Sequence, residues 1–180
     1  MDKPPYLDLG LDTDILNESY VLPKFDQDKV KIFKLEYHNL NPEFISVFQK
    51  YTRSNPTNIQ LFYTPPNTMN RNIHLDGSGP SDMWAINQVV SGTRNGIMRW
   101  FESDSINVKY NQTGITTKYY SYDISEVNEI ARHVLNGLTL VRIGIPHNID
   151  NPDNEPRWCL SIRPERYHFT YQELYNKFTA

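Results

Sequence analysis

The sequence contains a single cysteine, no long apolar run and no excess of positive charge, and each of these absences excludes a class of protein. One cysteine among 180 residues, Cys159, excludes a disulfide framework and a cysteine-rich zinc or iron–sulfur site. No apolar stretch approaches the roughly 20 residues of a membrane span, and the first residues lack the basic flank and apolar core of a signal peptide. We therefore expect a cytoplasmic protein that does not bind membranes.

The charge pattern argues against nucleic acid as a partner. Lysine and arginine number 18 and aspartate and glutamate 21, a formal net charge of −3, and the two signs are interspersed along the chain. An enzyme acting on nucleic acid has to neutralise several phosphates with lysine and arginine. A glycine-rich phosphate-binding loop is absent as well. The length and a hydrophobic fraction of 38% fit one folded domain over residues 1–180.

Two segments carry the signals of a helix. Asn41 precedes Pro42, which is typical of an N-cap followed by the first helical residue. An apolar stripe at helical spacing follows, and this helix should end near Ser54, before a proline. The segment YQELYNKF predicts a second helix close to the end of the chain, within residues 170–178.

Most of the remaining chain has the pattern of short strands. The glycines of residues 91–96 suit a hairpin, and residues 123–134 are interpreted as a short helical insertion. Short strands without βα alternation predict a mostly β fold, a double-stranded β-helix (a cupin-like jelly roll) with flanking helices. Its core covers about residues 58–165, and residues 1–57 support it. The segments of strand length, rich in branched or aromatic residues, are 30–37, 58–64, 71–76, 83–90, 97–102, 115–122, 138–145 and 157–163.

The first candidates for chemistry are His74 and Asp76. Residues two apart on a strand face the same side, so this imidazole and this carboxylate converge; an exposed ion pair at a strand end is the alternative. A second histidine, His147, follows the strand 138–145 and shares the phase of its apolar side, which would direct the imidazole into the barrel. A hydrogen-bonded loop residue is the alternative for His147. Two histidines and one carboxylate form the facial triad of non-haem Fe(II) oxygenases.

Two arginines on the predicted strand 157–163 are the next candidates. Arg157 and Arg163 share one face of this strand with Ser161, while Trp, Leu and Ile occupy the other face. A buried arginine is costly unless it is paired, and its planar guanidinium suits bidentate binding of a carboxylate ligand. The alternative is that both arginines point into solvent.

These segments together resemble the Fe(II)- and 2-oxoglutarate-dependent oxygenases. The resemblance rests on HLDG, WAIN and LVRIGIPHNIDNPDNEPRWCLSIR within residues 58–165, and it is closest in kind to prolyl- and aspartyl-hydroxylase-like proteins, including small bacterial and phage members. It implies that His74, Asp76 and His147 bind iron. It also implies that Arg157, ten residues after His147, binds the distal carboxylate of 2-oxoglutarate, with Arg163 as the reserve.

The sequence departs from the family pattern at one position. Cys159 stands where many members have the serine of an Arg-x-Ser motif, which leaves open whether Ser161 helps to bind the carboxylate. Asn87 and Tyr63 are candidates for polar contacts to the cosubstrate or around the metal, and a structural role is the alternative for both.

The activity implied by the resemblance is that of a dioxygenase. Such an enzyme uses Fe(II) and dioxygen, converts 2-oxoglutarate to succinate and hydroxylates its substrate. The expected substrate is a side chain of a peptide or protein, or a small amino-acid-like molecule. Two alternatives stay open: a catalytically silent jelly-roll protein that binds a structural zinc, another ligand or no metal, and a different metal enzyme on a cupin barrel.

Overall fold

The computed structural model describes residues 3–25, 27–69, 73–77, 81–104, 109–112 and 118–180. Helices and strands follow one another in the order β1 (Tyr6–Asp8), β2 (Lys31–Lys34), α1 (Pro42–Thr52), β3 (Pro56–Thr64), β4 (His74–Asp76), β5 (Trp84–Gly92), β6 (Ile97–Glu102), β7 (Lys109–Gln112), β8 (Lys118–Ser121), β9 (Asn128–Val134), β10 (Thr139–Arg142), β11 (His147–Asp150), β12 (Arg157–Pro164) and α2 (Tyr171–Thr179).

The strands of the described residues form two antiparallel sheets that face each other. Sheet I has the order β1-β10-β5-β12-β3-β2, and sheet II has the order β7-β8-β4-β11-β6-β9. From β3 onward the chain passes back and forth between the sheets, so that β3, β5, β10 and β12 lie in sheet I and β4, β6, β8 and β11 in sheet II. Two four-stranded sheets connected in this way make a jelly roll, which confirms the predicted mostly β fold with flanking helices.

Both helices form where the sequence indicates them. Asn41 caps α1, since its Oδ1 accepts a hydrogen bond from the backbone N–H of Glu43 at 2.9 Å, and Pro42 is the first helical residue. Arg53, with a left-handed φ of 56°, ends the helix. Thr170 and Glu173 form a capping box at the start of α2.

The larger apolar core lies between sheet I and the two helices. Alternate residues of two neighbouring strands of sheet I point to this side. They pack against the apolar stripes of α1 and α2, so that one face of sheet I is fully covered by side chains of the protein itself. The strand residues in this core are Ile59, Leu61 and Tyr63 of β3 and Trp158, Leu160 and Ile162 of β12.

A smaller apolar cluster fills the space between the two sheets on the side where β1 lies near β9. Tyr6 stacks on His133 with 4.0 Å between the ring centroids, and the His133 Nε2 lies 2.9 Å from a carboxylate oxygen of Asp8. These contacts close one side of the sandwich. The cavity described below lies toward the other side, where β2 and β3 of sheet I face β4 and β8 of sheet II.

Two predictions about local structure are wrong. Residues 123–134 form only one 3-10 turn, Ile124–Glu126, and then the strand β9, which pairs with β6 at Arg132 opposite Arg99. Pairing with the edge of sheet II overrides the weak helical pattern there. Residues 91–96 are no hairpin, because β5 belongs to sheet I and β6 to sheet II.

Only part of the predicted strand 138–145 forms a strand. The strand β10 ends at Arg142, and Ile143–Pro146 turn the chain across to sheet II, where β11 begins at His147. The backbone N–H of Phe101 bonds to the carbonyl of Pro146 at 2.8 Å and fixes this turn. The parts of predicted strands at 71–72 and 115–117 lie outside the described residues. Within the described ranges, the helices are too short and too polar to span a membrane.

Candidate metal centre

Three side chains from two strands of sheet II converge between the sheets. His74 and Asp76 are two apart on β4 and therefore face the same side, and Gly77, with a φ of 91°, ends this strand. His147 is the first residue of β11 and lies directly opposite His74 in the pairing of the two strands. The centroids of the two imidazole rings are 4.5 Å apart. One nitrogen of each histidine and one carboxylate oxygen of Asp76 lie within 4.8 Å of one another.

The environment of His147 prepares one of its nitrogens for a metal. Its Nδ1 lies 2.9 Å from the backbone carbonyl of Ile145, so Nδ1 carries the proton and donates it to this oxygen. The Nε2 lone pair then faces Asp76, whose Oδ2 is 3.8 Å away. Burial, together with the nearby His74, lowers the pKa of His147 to about 4, although the Asp76 carboxylate opposes this. The imidazole is neutral at neutral pH, which is the form that ligates metals.

Asp76 is held by an arginine of the opposite sheet. Arg163, on β12, donates a hydrogen bond from Nη2 to Oδ2 of Asp76 at 2.9 Å, and both side chains are buried. Burial of the Asp76 carboxyl raises its pKa, but the charges of Arg163, His74 and His147 outweigh this, so the pKa is below its usual value. The other oxygen, Oδ1, lies on the side of His74, with 4.0 Å to its Nε2. Asp76 is therefore an ionised carboxylate, and one of its oxygens accepts a hydrogen bond from Arg163.

The three side chains line a cavity of about 200 Å³ between the sheets. Its floor is the face of β12 that carries Arg157, Cys159, Ser161 and Arg163, as the alternation of the sequence predicts. All four of these residues are buried. The arginines lie at opposite ends of this face, with Arg163 beside Asp76. The other lining residues are Val30, Ile32, Gln60, Phe62, Thr64, Thr68, Asn87, Met98, Tyr119, Ile143 and Ile149.

Arg157 differs from Arg163 in having no carboxylate partner among the described residues. It is 1% exposed, and neither its Nε nor its Nη2 has a hydrogen-bond partner among the described residues. Leaving a buried guanidinium unpaired is costly, because its donors lose their hydrogen bonds to water. Such a group at the wall of a cavity has the chemistry of a binding site for an anion.

Of the remaining predicted residues, two line the cavity and one does not. Asn87 and Ser161 lie directly opposite each other on β5 and β12, and the Asn87 Oδ1 has no hydrogen-bond partner among the described residues. Tyr63 lies on the other face of β3, in the core below the helices, where its ring packs edge-on against Trp158. This placement corrects the expectation that Tyr63 contacts a cosubstrate.

Sequence reasoning missed several residues of the site. On β3, the residues that line the cavity are Gln60, Phe62 and Thr64. They alternate with Tyr63, so the period of two along a strand predicts that they face the cavity once Tyr63 is known to lie in the core. Tyr119 lies opposite Asp76 in the pairing of β8 with β4, and its ring is edge-on to His74 at 5.9 Å. No local pattern in the sequence distinguishes Tyr119 from the tyrosine that follows it.

Comparisons with known proteins add little to this geometry. No protein-family model matches the chain, and no curated protein matches it. Among solved structures it is similar to oxalate decarboxylase of Bacillus subtilis, studied for its Mn(II) centres, with 18% sequence identity and a TM-score of 0.35. The match covers 82% of this chain and 28% of that one, so the chain spans less than a third of the other protein's length. The strand order of the two sheets makes the chain a jelly-roll protein, and its His–Asp–His cluster has the composition of a metal site.

Proposed function

We propose that the protein is an Fe(II)- and 2-oxoglutarate-dependent dioxygenase. The observation that carries the proposal is that one cavity contains both a His–Asp–His cluster and a buried arginine that has no carboxylate partner in the part of the chain that the structure describes. A metal site alone would leave unexplained why the Nε and Nη2 of Arg157 have no partner among the described residues. A dicarboxylate that reaches from the metal to this arginine accounts for both features.

The donor set fits Fe(II). Two imidazoles and one carboxylate leave coordination positions open, which suits a catalytic centre and not a closed structural zinc site. His74, Asp76 and His147 would hold the metal. The contacts of the Nδ1 of His147 and of the Oδ2 of Asp76 orient both ligands before the metal binds.

The cavity wall also fits the distal carboxylate of 2-oxoglutarate. The unpartnered Nε and Nη2 of Arg157 would donate to its two oxygens, an arrangement typical of arginine–carboxylate pairs. Asn87 and Ser161 lie between the two arginines along the cavity floor and offer polar contacts to the middle of such a ligand. This assigns the carboxylate to Arg157 and leaves Arg163 to hold Asp76.

The chain's own residues would bind the metal and 2-oxoglutarate, orient them and exclude water from the cavity. When bound, the iron and 2-oxoglutarate supply the oxidising chemistry that uses dioxygen and forms succinate. Phe62, Met98 and Ile149 line the same cavity and keep it apolar apart from the metal and carboxylate sites. An apolar lining limits access of water to a reactive centre.

The substrate to be hydroxylated is proposed to be a peptide or protein side chain, or a small amino-acid-like molecule. Ile32 of β2, at the edge of sheet I, lines the cavity together with Val30, which precedes this strand and is 53% exposed. Their apolar side chains suit the aliphatic part of a side chain better than a phosphodiester backbone. Mass spectrometry of peptide and amino-acid libraries for the gain of one oxygen atom tests this assignment.

Metal content and succinate formation test the proposed activity. The wild-type protein is expected to bind one Fe(II) per chain and to release succinate from 2-oxoglutarate in air, whereas His74→Ala should lose both properties. His38→Ala, at an exposed histidine of a 3-10 turn, is the matched control and should keep both. Succinate formation that is independent of iron, or unchanged in His74→Ala, would contradict the proposal.

The alternative of a catalytically silent jelly roll gives a different result in the same experiment. A protein of that kind would bind a metal or another ligand without producing succinate. Stoichiometric metal together with no succinate, even with the library of candidate substrates present, would favour this alternative.

A further inference from the structure

The position of Arg157 is controlled by a glycine on the connection between β5 and β6. Gly96 is buried, and a Cβ atom added to it would lie 2.5 Å from the Nε of Arg157 and still closer to the Cδ. The arginine side chain therefore runs directly across the backbone at this position. Gly96 has no left-handed φ, so its backbone conformation does not require glycine. Space for Arg157 is the physical reason for glycine here.

The connection that carries Gly96 is tied to the loop that leads into Arg157. The backbone N–H of Thr93 donates to the carbonyl of Pro156 at 3.1 Å. The hydroxyl of Thr93 donates to Oδ2 of Asp153, and the side-chain amide of Asn95 donates to the same oxygen at 2.9 Å. A single carboxylate thus joins the β5–β6 connection to the β11–β12 loop.

The side chain of Arg157 lies against Gly96 and also lines the cavity. A methyl group at Gly96 would have to displace the Cδ and Nε of Arg157, and the cavity is the open space available to them. Such a displacement would bring the guanidinium closer to the metal end. Loss of the Asp153 carboxylate would have another effect, since it removes the two side-chain hydrogen bonds of the connection without adding an atom and leaves the backbone bond from Thr93 to Pro156 in place.

We propose that Gly96 and Asp153 are positioning residues that set how far the Arg157 guanidinium stands from the metal centre, and so the length of the dicarboxylate that the cavity accepts. This inference rests on the proposed function. In the wild-type geometry the ligand is 2-oxoglutarate. With the guanidinium pushed inward, the ratio of affinities should shift toward oxaloacetate, a 2-oxo dicarboxylate that is one methylene shorter.

Calorimetric titration of the Mn(II)-loaded protein with 2-oxoglutarate and with oxaloacetate tests the inference without any turnover. Gly96→Ala should weaken 2-oxoglutarate binding by about tenfold, the size expected when one charge-assisted hydrogen bond is lost, and should weaken oxaloacetate binding less. Asp153→Ala should weaken both acids by a similar factor. Gly137→Ala is the matched control, because an added Cβ there has no neighbour within 4 Å, and both affinities should stay at the wild-type value.

The outcomes separate this inference from the function on which it rests. Wild-type protein that binds Mn(II) but neither acid would overturn both. Wild-type protein that binds 2-oxoglutarate, with an unchanged ratio of the two affinities in Gly96→Ala, would overturn the inference alone. If Gly96→Ala does not fold, Asp153→Ala decides: wild-type affinity for both acids in that variant would also overturn the inference.

Discussion

The two ends of the cavity each contain one buried arginine of the same strand, yet among the described residues only Arg163 has a carboxylate partner. At the metal end, Arg163 donates to Asp76, which in turn lies close to two imidazoles. At the other end, Arg157 has two donor atoms without a partner among the described residues. The sequence offers the same residue type on the same face at both positions, so the difference lies in what the opposite sheet places in front of each guanidinium.

This comparison separates a structural ion pair from the site at which we propose that a ligand binds. Under the proposed function, the pair at Asp76 would orient a metal ligand, whereas Arg157, with no carboxylate partner among the described residues, should lower the stability of the ligand-free protein. A ligand that binds only the folded protein raises its free energy of unfolding and so offsets the stability lost at the binding site. Substitutions at the two arginines should therefore have opposite effects on the free energy of unfolding.

Replacing Arg163 should have the largest effect. Arg163→Met leaves the Asp76 carboxylate buried without its guanidinium, and breaking a buried pair from one side costs about 3–5 kcal/mol. Urea denaturation of the metal-free protein measures this loss. A free energy of unfolding within about 0.5 kcal/mol of the wild-type value would show that the two ends of the cavity do not differ in the proposed way.

Binding of 2-oxoglutarate at the Arg157 end of the cavity should stabilise the protein. At 2-oxoglutarate concentrations 100-fold above the dissociation constant, the Mn(II)-loaded wild-type protein should gain about 2.7 kcal/mol. Arg157→Met at the same ligand concentration should gain much less, because the carboxylate has lost its partner. Equal stabilisation of the two proteins in ligand-dependent denaturation curves would place the carboxylate elsewhere.

The ligand-free protein should become more stable when Arg157 is removed. Arg157→Met replaces a buried guanidinium that has no carboxylate partner among the described residues with an unbranched apolar side chain, and we expect the free energy of unfolding to rise by about 1–3 kcal/mol. The measurement is the same denaturation experiment without metal or 2-oxoglutarate. Destabilisation by a similar amount would mean that Arg157 has a structural partner.

We expect the smallest effect at an exposed arginine, which serves as the reference for the substitutions at Arg163 and Arg157. Arg94 lies on the β5–β6 connection, is exposed, and donates at 3.3 Å to the carbonyl of Asn136. Arg94→Ala should change the free energy of unfolding by no more than about 0.5 kcal/mol and leave the affinity for 2-oxoglutarate unchanged. A larger change would show that loss of any arginine perturbs the fold, and the two buried sites could then not be compared in this way.

The parts of the fold that sequence predicted best are those with strong local signals. Asn41 and Pro42 mark the start of α1, and the strict alternation from Arg157 to Arg163 identifies which side chains of β12 share the cavity. Both signals depend only on neighbouring residues. The jelly-roll class follows from the number and shortness of such segments.

The parts that sequence could not predict depend on pairing between distant strands. Ile130 and its neighbours form a strand because β6 lies beside them, which no local pattern near residue 130 shows. His147 does enter the barrel, although the reason differs from the one predicted: a turn through Pro146 moves the chain to sheet II, and the phase of β10 does not continue. The pairing of Asp76 with Arg163, and not with Arg157, is equally a result of how the two sheets face each other.

The central claim is that Arg157 is the partner of a carboxylate ligand in the cavity. Titration of 2-oxoglutarate into Mn(II)-loaded wild-type protein and Arg157→Met, at equal metal occupancy, tests it most directly. The account predicts an affinity lower by about 10- to 150-fold in the variant, which corresponds to about 1.5–3 kcal/mol for a charge-assisted hydrogen bond. The same dissociation constant for both proteins would contradict the account.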